Sequence, residues 1–390
     1  MDRVSYPLLR QNEVILGFVS EVYSLNRRQF LGTTAIALAT APVSLASPAN
    51  GHPLSGARGT PPNSAPAKRL PIGVFNPPFR NLSLDGMLDK FSSMGVEAVE
   101  IGAGGYTGTP QCPVPELIAN PQKALAWRSK FTDHGISIMA ITCLGNAIHP
   151  DQEKADAFAL QFRQAVQLAA LLEVPTVVGF SGCPGASPTD TVPNWITYGW
   201  PERDGPLEWQ WNERVIPYWK ETVKFARGLG VHRIALEMHP NFVVYNPRTL
   251  MRLRAAVGPE IGANCDLSHL FWQQCDAVEV IRYLGNHGAI YHAHMKDTAF
   301  FSQNVARYGV LNFARSKSDS EGSEFFRAVG YGHGASFWKD VIAAYMEVDY
   351  DGMLSIENED PILSGEIGVQ RSLMTLKNVR EELLAGEPNP

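Results

Sequence analysis

Four side chains of metal-ligand type each sit where a short apolar run gives way to a polar loop. Glu237 closes RIALE, Asp266 closes IGANCD, His294 lies near the end of IYHAHM, and Glu357 follows MLSI. Runs of this length and composition read as β-strands. Glu237 to Asp266 is 29 residues and Asp266 to His294 is 28, the length of one strand-plus-helix repeat. Residues at the same end of successive parallel strands converge on one point. In a (β/α)8 barrel that point lies on the catalytic face. Three carboxylates and one imidazole form a hard, mainly oxygen donor set that suits a divalent cation. Taken alone, Glu237 reads as one half of a buried salt bridge; the set of four does not.

The rest of the chain from Leu70 repeats the same alternation. Strands are expected at Ile72–Phe75, Ala98–Ile101, Ile136–Thr142, Thr176–Phe180, Arg233–Glu237, Gly262–Asp266, Ala289–His294 and Met353–Glu357. Helical periodicity lies between them at Leu84–Met94, Pro121–His134, Asp151–Leu172, Trp211–Leu229, Pro247–Val257 and Ser336–Met346. Glycines 95, 135 and 230 stand where helices end, a position that suits a left-handed residue. The pattern predicts an α/β fold, a single-domain (β/α)8 TIM barrel with long catalytic-face loops. Two loops are long, Ser181 to about Trp209 and Asp297 to about Ala335. Loops of this length are usually binding loops or lids. They make Trp195, Trp200, Trp209 and Trp272 candidates for an aromatic wall, the alternative being rings that merely close the barrel top.

Histidines and acids near the strand ends supply the other candidates. His269 follows Asp266 by three residues and His239 follows Glu237 by two, so both can face the same cavity. His292 alternates with His294 and points to the same barrel face; it is expected to support His294 rather than to bind the ion. Glu100 and His149 follow earlier strands. Lys296, His333, Trp195 and Trp272 are further candidates for contact with substrate. For His269 the competing reading is a core or capping histidine.

Composition and the N-terminus narrow the setting. A net charge of −6 and a pI near 5.9 exclude an electrostatic footprint for nucleic acid. The five cysteines have no Cys-x-x-Cys spacing and read as unpaired thiols. Arg27-Arg28-Gln29-Phe30-Leu31 leads an uncharged apolar stretch that ends in Ser44-Leu45-Ala46. Residues 1–46 therefore read as a twin-arginine export signal, with a membrane anchor as the competing reading. Residues 47–69 read as a disordered linker, 70–385 as the barrel and 386–390 as a tail. The expected location is the periplasm, with no membrane span after signal cleavage.

From Leu70 to Leu384 the chain resembles the xylose-isomerase-like TIM-barrel superfamily of sugar isomerases and epimerases. The resemblance rests on the series Glu237, Asp266-x-x-His269, His294-x-Lys296-Asp297 and Glu357. Within that superfamily it is similar to ketose 3-epimerases, inosose dehydratases and 3-keto-glycoside-cleaving enzymes, including catalytic subunits of C-glycoside deglycosidases. The resemblance implies Glu237, Asp266, His294 and Glu357 on Mn²⁺, with Mg²⁺, Co²⁺ or Zn²⁺ as the other fits. It implies His269 near the substrate, and Glu237 and Glu357 exchanging a proton with the sugar.

The implied chemistry is removal of a proton beside a carbohydrate carbonyl. Its outcome is epimerisation or isomerisation, or else elimination from a keto-glycoside. Elimination needs one more acid or base, for which His149, His239 and His269 are the candidates. The expected partner is a small-molecule carbohydrate or glycoside, with a homo-oligomer or a partner subunit as a further expectation. The chain departs from the pattern at one position. Six residues after the metal histidine, where the epimerases carry an arginine, stands Phe300. The 297–335 insertion and the export signal also depart from a simple intracellular epimerase. Two readings from other classes are a DNA-repair endonuclease of the same superfamily, opposed by the acidic charge, and a non-catalytic periplasmic sugar-binding protein.

Overall fold

A computed structural model describes residues 69–109, 111–197, 199–312 and 320–386. The expected export signal, the linker up to residue 68 and the last four residues of the tail lie outside the described residues. Arg69, assigned above to the linker, is already anchored to the barrel by Glu97 at 2.9 Å and Glu381 at 3.1 Å.

Eight parallel strands close a barrel: β1 (Ile72–Phe75), β2 (Ala98–Gly105), β3 (Ser137–Leu144), β4 (Thr176–Phe180), β5 (Arg233–Glu237), β6 (Ile261–Asp266), β7 (Ile290–Met295) and β10 (Leu354–Ile356). Two further strands, β8 (Asp297–Phe300) and β9 (Glu324–Arg327), form a separate antiparallel hairpin. Each barrel strand matches an expected one to within a few residues. Side chains alternate between the inside and the helical shell. Phe75, Ala140, Leu144, Val178 and Ala235 form a small buried cluster of their own. The outward residues pack with the helices into one continuous apolar core. A sheet covered on its outer face by helices and filled within reads as near-continuous apolar runs, as this sequence does.

Helix starts and stops follow local chemistry. Ser83 caps the helix Leu84–Met94 by accepting from Gly86 N, and Gly95 ends it at φ +67°. Asn246 and Thr249 form a reciprocal capping box at Pro247–Val257.

The two long loops carry regular structure of their own. The first contains a helix, Pro201–Trp209, continued by a π-helical turn, Gln210–Val215, so the helix expected at Trp211–Leu229 is regular only over Ile216–Gly228. Pro217, at the start of the regular part, has no N–H to donate to the preceding turn. The second contains the β8–β9 hairpin with the helix Ser302–Tyr308 between its strands. The five cysteines are free, and burial pushes the thiols of Cys112, Cys143, Cys183 and Cys265 up to about 12. No helix among the described residues is long and apolar enough to cross a membrane.

Candidate metal centre

Around the barrel, β5, β6, β7 and β10 are consecutive neighbours. Their C-terminal ends carry Glu237, Asp266, His294 and Glu357, so the four sequence-predicted ligands form an arc. One donor atom from each lies within 4.8 Å of the others. Asp266 and His294 are direct register partners. Glu237 and Glu357 stand at the two ends of the arc. His294 Nδ1 lies 3.1 Å from Glu357, 3.5 Å from Glu237 and 3.8 Å from Asp266.

The donors are held from behind. Asn264 donates to Glu237 at 3.2 Å, and Ser268 N donates to Asp266 Oδ1 at 2.9 Å. His294 Nε2 faces Glu100 at 3.0 and 3.1 Å. Its other nitrogen, Nδ1, and Asp266 Oδ2 are buried atoms without a well-formed hydrogen bond among the described residues. Three buried carboxylates and an imidazole converging on one point, with Lys296 and His294 as their charged partners, fit a cation of the hard, oxygen-preferring kind. The nearest thiol, Cys265, packs in the outer core and is protonated, so sulfur adds nothing to the donor set.

Charge at the cluster is unevenly distributed. Burial, together with repulsion from Glu357, raises Glu237 to about 7. Burial acts in the same direction on Glu357, but Lys296 and His294 outweigh it and hold that carboxyl at about 2. Lys296 is only 2% exposed. Its ammonium lies 2.7 Å from Glu357, 3.0 Å from Asp266 and 3.1 Å from Glu359, over the Phe326 ring at 4.4 Å. A buried ammonium is tolerated only with such partners. His269 Nε2 is 3.2 Å from Glu237 and 3.3 Å from Lys296. Burial and Lys296 lower His269 to about 4; burial and His269 do the same to His239, 4.1 Å away ring to ring. Both imidazoles are neutral at physiological pH.

Two cavities open here. One, of about 240 Å³, is lined by Glu237, Glu357, Lys296, His239, Tyr106 and Phe180. The other, of about 390 Å³, shares His239 and is walled by His269, Trp195, Trp272, Phe326 and Glu324. Trp195 and Trp272 thus stand where an aromatic wall was expected. Trp200 is 58% exposed, and Trp209 lines a separate cavity.

Three expected pocket residues are placed elsewhere. Glu100 lies fully buried beneath the ligands, where His292 at 2.8 Å, Ser355 at 2.6 Å and Thr142 at 2.5 Å occupy its oxygens along with His294. His149 lines neither cavity; its Nδ1 accepts from Asp151 N at the start of a helix. His333 also lines neither, and donates to Asp297 at 2.7 Å. Glu324, Phe326, Tyr106 and Phe180 are among the pocket residues that the sequence reading missed, and Glu324 is the acid among these four. An acid in the otherwise strand-like run EFFRAV was the available signal, the same one that marked Glu237.

The model of the xylose isomerase-like TIM barrel matches residues 88–379. The uncharacterized protein YfiH of Bacillus subtilis (strain 168) is 35% identical over 300 residues, covering 76% of this chain and 95% of that protein. Among solved structures, the probable 3-DHS dehydratase AsbF of Bacillus anthracis superposes with a TM-score of 0.54 at 15% identity, covering 79% of this chain and 99% of that one. The 3-keto-D-glucoside 4-epimerase YcjR of E. coli superposes with a TM-score of 0.52 at 13% identity, covering 80% and 99%. At such identities these two likenesses are of fold.

Proposed function

The chain belongs to the xylose isomerase-like TIM-barrel family, and from that premise we propose that it is a divalent-metal-dependent carbohydrate isomerase or epimerase. The observation that carries the reading is the buried arc of Glu237, Asp266, His294 and Glu357, with one donor atom of each within 4.8 Å of the others. These four would hold the ion, and Mn²⁺ suits their oxygen-rich set. Such an ion, when bound, supplies Lewis-acid stabilisation of negative charge on a substrate oxygen.

The chain's own groups do the remainder. Glu237 and Glu357 stand at opposite ends of the arc, so a carbon bound between them has one carboxylate on each side. One takes the proton beside the carbonyl and the other returns it on the far face, which inverts that centre. Lys296 keeps Glu357 ionised and offers a donor to a sugar oxygen. His239 and His269, both neutral, accept from substrate hydroxyls. Tyr106 and Phe180 line the smaller cavity and limit entry of water.

A second reading is a lyase that eliminates the aglycone of a 3-keto-glycoside, or an inosose-type dehydratase. It is favoured by the aromatic cavity that adjoins the site through His239, where a leaving group has room. Glu237, raised to about 7, is then the acid that protonates it and Glu357 the base, because His239 is neutral. We assign the Arg27-Arg28 segment to twin-arginine export and the protein to the periplasm, to be tested by cell fractionation of wild type and an Arg27→Lys, Arg28→Lys variant.

The deciding experiment incubates the Mn²⁺-loaded protein in D₂O with free ketohexoses and, in parallel, with a 3-keto-glucoside. Deuterium at a carbinol carbon of an intact sugar supports the isomerase or epimerase. Release of aglycone supports the lyase. Either signal must vanish in Glu237→Gln, and the absence of both overturns the substrate class.

A further inference from the structure

The larger cavity has a wall for which the proton transfers above have no use. Glu324 and Phe326 alternate along β9 and so present their side chains on one face. Both line the cavity, as do Trp195 and Trp272. Glu324 is 4% exposed, and its Oε2 is buried without a hydrogen bond among the described residues. The indole nitrogen of Trp195, which lines the same cavity, is likewise without a partner among them. No ion pair to Glu324 occurs among the described residues. Burial pushes this carboxyl up to about 8, so at neutral pH it is mostly a neutral hydroxyl donor.

A buried donor without an acceptor costs about 1–3 kcal/mol. A purely packing role would be met better by leucine, which fills similar volume without that cost. Val310 and Leu311 join the two tryptophans and Phe326 in making much of the remaining lining apolar, with His239, His269 and Asn241 as its other polar groups, and about 390 Å³ is room for a ring-sized group. We propose that this cavity is a second subsite for an uncharged apolar or aromatic group bearing a hydrogen-bond acceptor, with Glu324 as the specificity-determining donor. The inference rests on the metal centre being the reacting end. The substrate then has two parts, a polar one between Glu237 and Glu357 and an apolar one against the tryptophans, joined past His239.

The test is calorimetric titration of the Mn²⁺-loaded full chain with acetophenone, which carries one carbonyl acceptor, and with ethylbenzene, which carries none. Wild type is expected to prefer acetophenone about tenfold, the worth of one neutral hydrogen bond. Glu324→Gln, which keeps a donor, should retain that preference. Glu324→Leu should erase it, and Trp195→Ala should weaken both ligands. Failure of either ring to bind, an unchanged preference in Glu324→Leu, or its loss in Glu324→Gln overturns the proposal. Mn²⁺ affinity, measured on the same samples, separates the two readings. Rings that bind with this selectivity to a protein that takes no Mn²⁺ would leave the subsite standing and remove the metal centre.

Discussion

Glu100 on β2 and His294 on β7 meet inside the barrel, with both oxygens of the one within 3.1 Å of Nε2 of the other. An ionised carboxylate only accepts, so Nε2 donates to Glu100. Burial opposes charge on His294, but Glu100 and Glu357 outweigh it and raise this imidazole well above its ordinary range, so a bound ion would take the place of the Nδ1 proton that faces Glu237, Asp266 and Glu357. Burial alone would raise the Glu100 carboxyl, but His294 and His292 outweigh it and hold it well below the usual range.

Glu100→Gln should therefore weaken Mn²⁺ binding by about 10–100-fold while leaving all four ligands in place. Titration calorimetry measures this directly. An affinity equal to wild type would mean that packing, not Glu100, orients His294.

Binding of the ion should also stabilise the fold, because the arc exists only when four separate strands are aligned. At a free Mn²⁺ concentration of about 100 times Kd, the gain is about 2.7 kcal/mol. Scanning calorimetry should show Tm rising with Mn²⁺ and falling back with a chelator. Asp266→Asn, which removes one carboxylate of the arc, should lose most of that dependence. An equal Mn²⁺ response in wild type and variant would place the ion elsewhere.

At the other end of the barrel, Arg380 ties the last helix to the first two strands. It donates to Glu97 at 2.6 and 2.9 Å and to Leu70 O at 2.8 Å. Burial opposes ionisation of Glu97, but Arg380 outweighs it and lowers the carboxyl from 4.5 to about 2. A carboxyl depressed in the folded state stabilises above its unfolded pKa, and that contribution drains away as pH falls from about 4.5 towards 2. Arg380→Met should be less stable than wild type at neutral pH and lose less on acidification. Urea midpoints at about pH 6 and about pH 3 give the comparison; parallel losses in the two proteins would refute it.

The barrel was legible because its signals are local. A strand such as RIALE and a terminator such as Gly95 are each complete within a few residues, and their spacing repeats. The clustering of Glu237, Asp266, His294 and Glu357 was legible for the same reason, since each marks the end of its own strand. Glu100 was misplaced because its role exists only once the barrel closes and brings β2 across from β7. His149 and His333 looked like pocket residues from their loops, but each finds a nearer partner, Asp151 N and Asp297. Glu324 was hidden inside an insertion read as loop, where the β8–β9 pairing could not be anticipated from one strand.

The same insertion depends on a single buried side chain. Asp297, at the start of β8, is fully buried. It accepts from Gly330 N and Gly332 N at 3.0 Å, from His333 N at 2.9 Å, from His333 Nδ1 at 2.7 Å and from Trp338 Nε1 at 3.3 Å. These bonds fasten the chain after β9 back onto the start of β8, and so fix the hairpin that carries Glu324 and Phe326 over the site. The fit at Gly332 is close enough that an added Cβ would meet Thr298 O and lie 2.6 Å from Asp297 Oδ1. Asp297→Ala leaves several buried donors without an acceptor, and should cost about 3–5 kcal/mol, as removal of one partner from a buried polar cluster does. Gly332→Ala should loosen the hairpin with a smaller loss of overall stability, because the barrel itself is untouched. Urea unfolding measures the first effect and amide exchange across β8 and β9 the second. Exchange in Gly332→Ala as slow as in wild type would show that the hairpin is held by something other than this cradle.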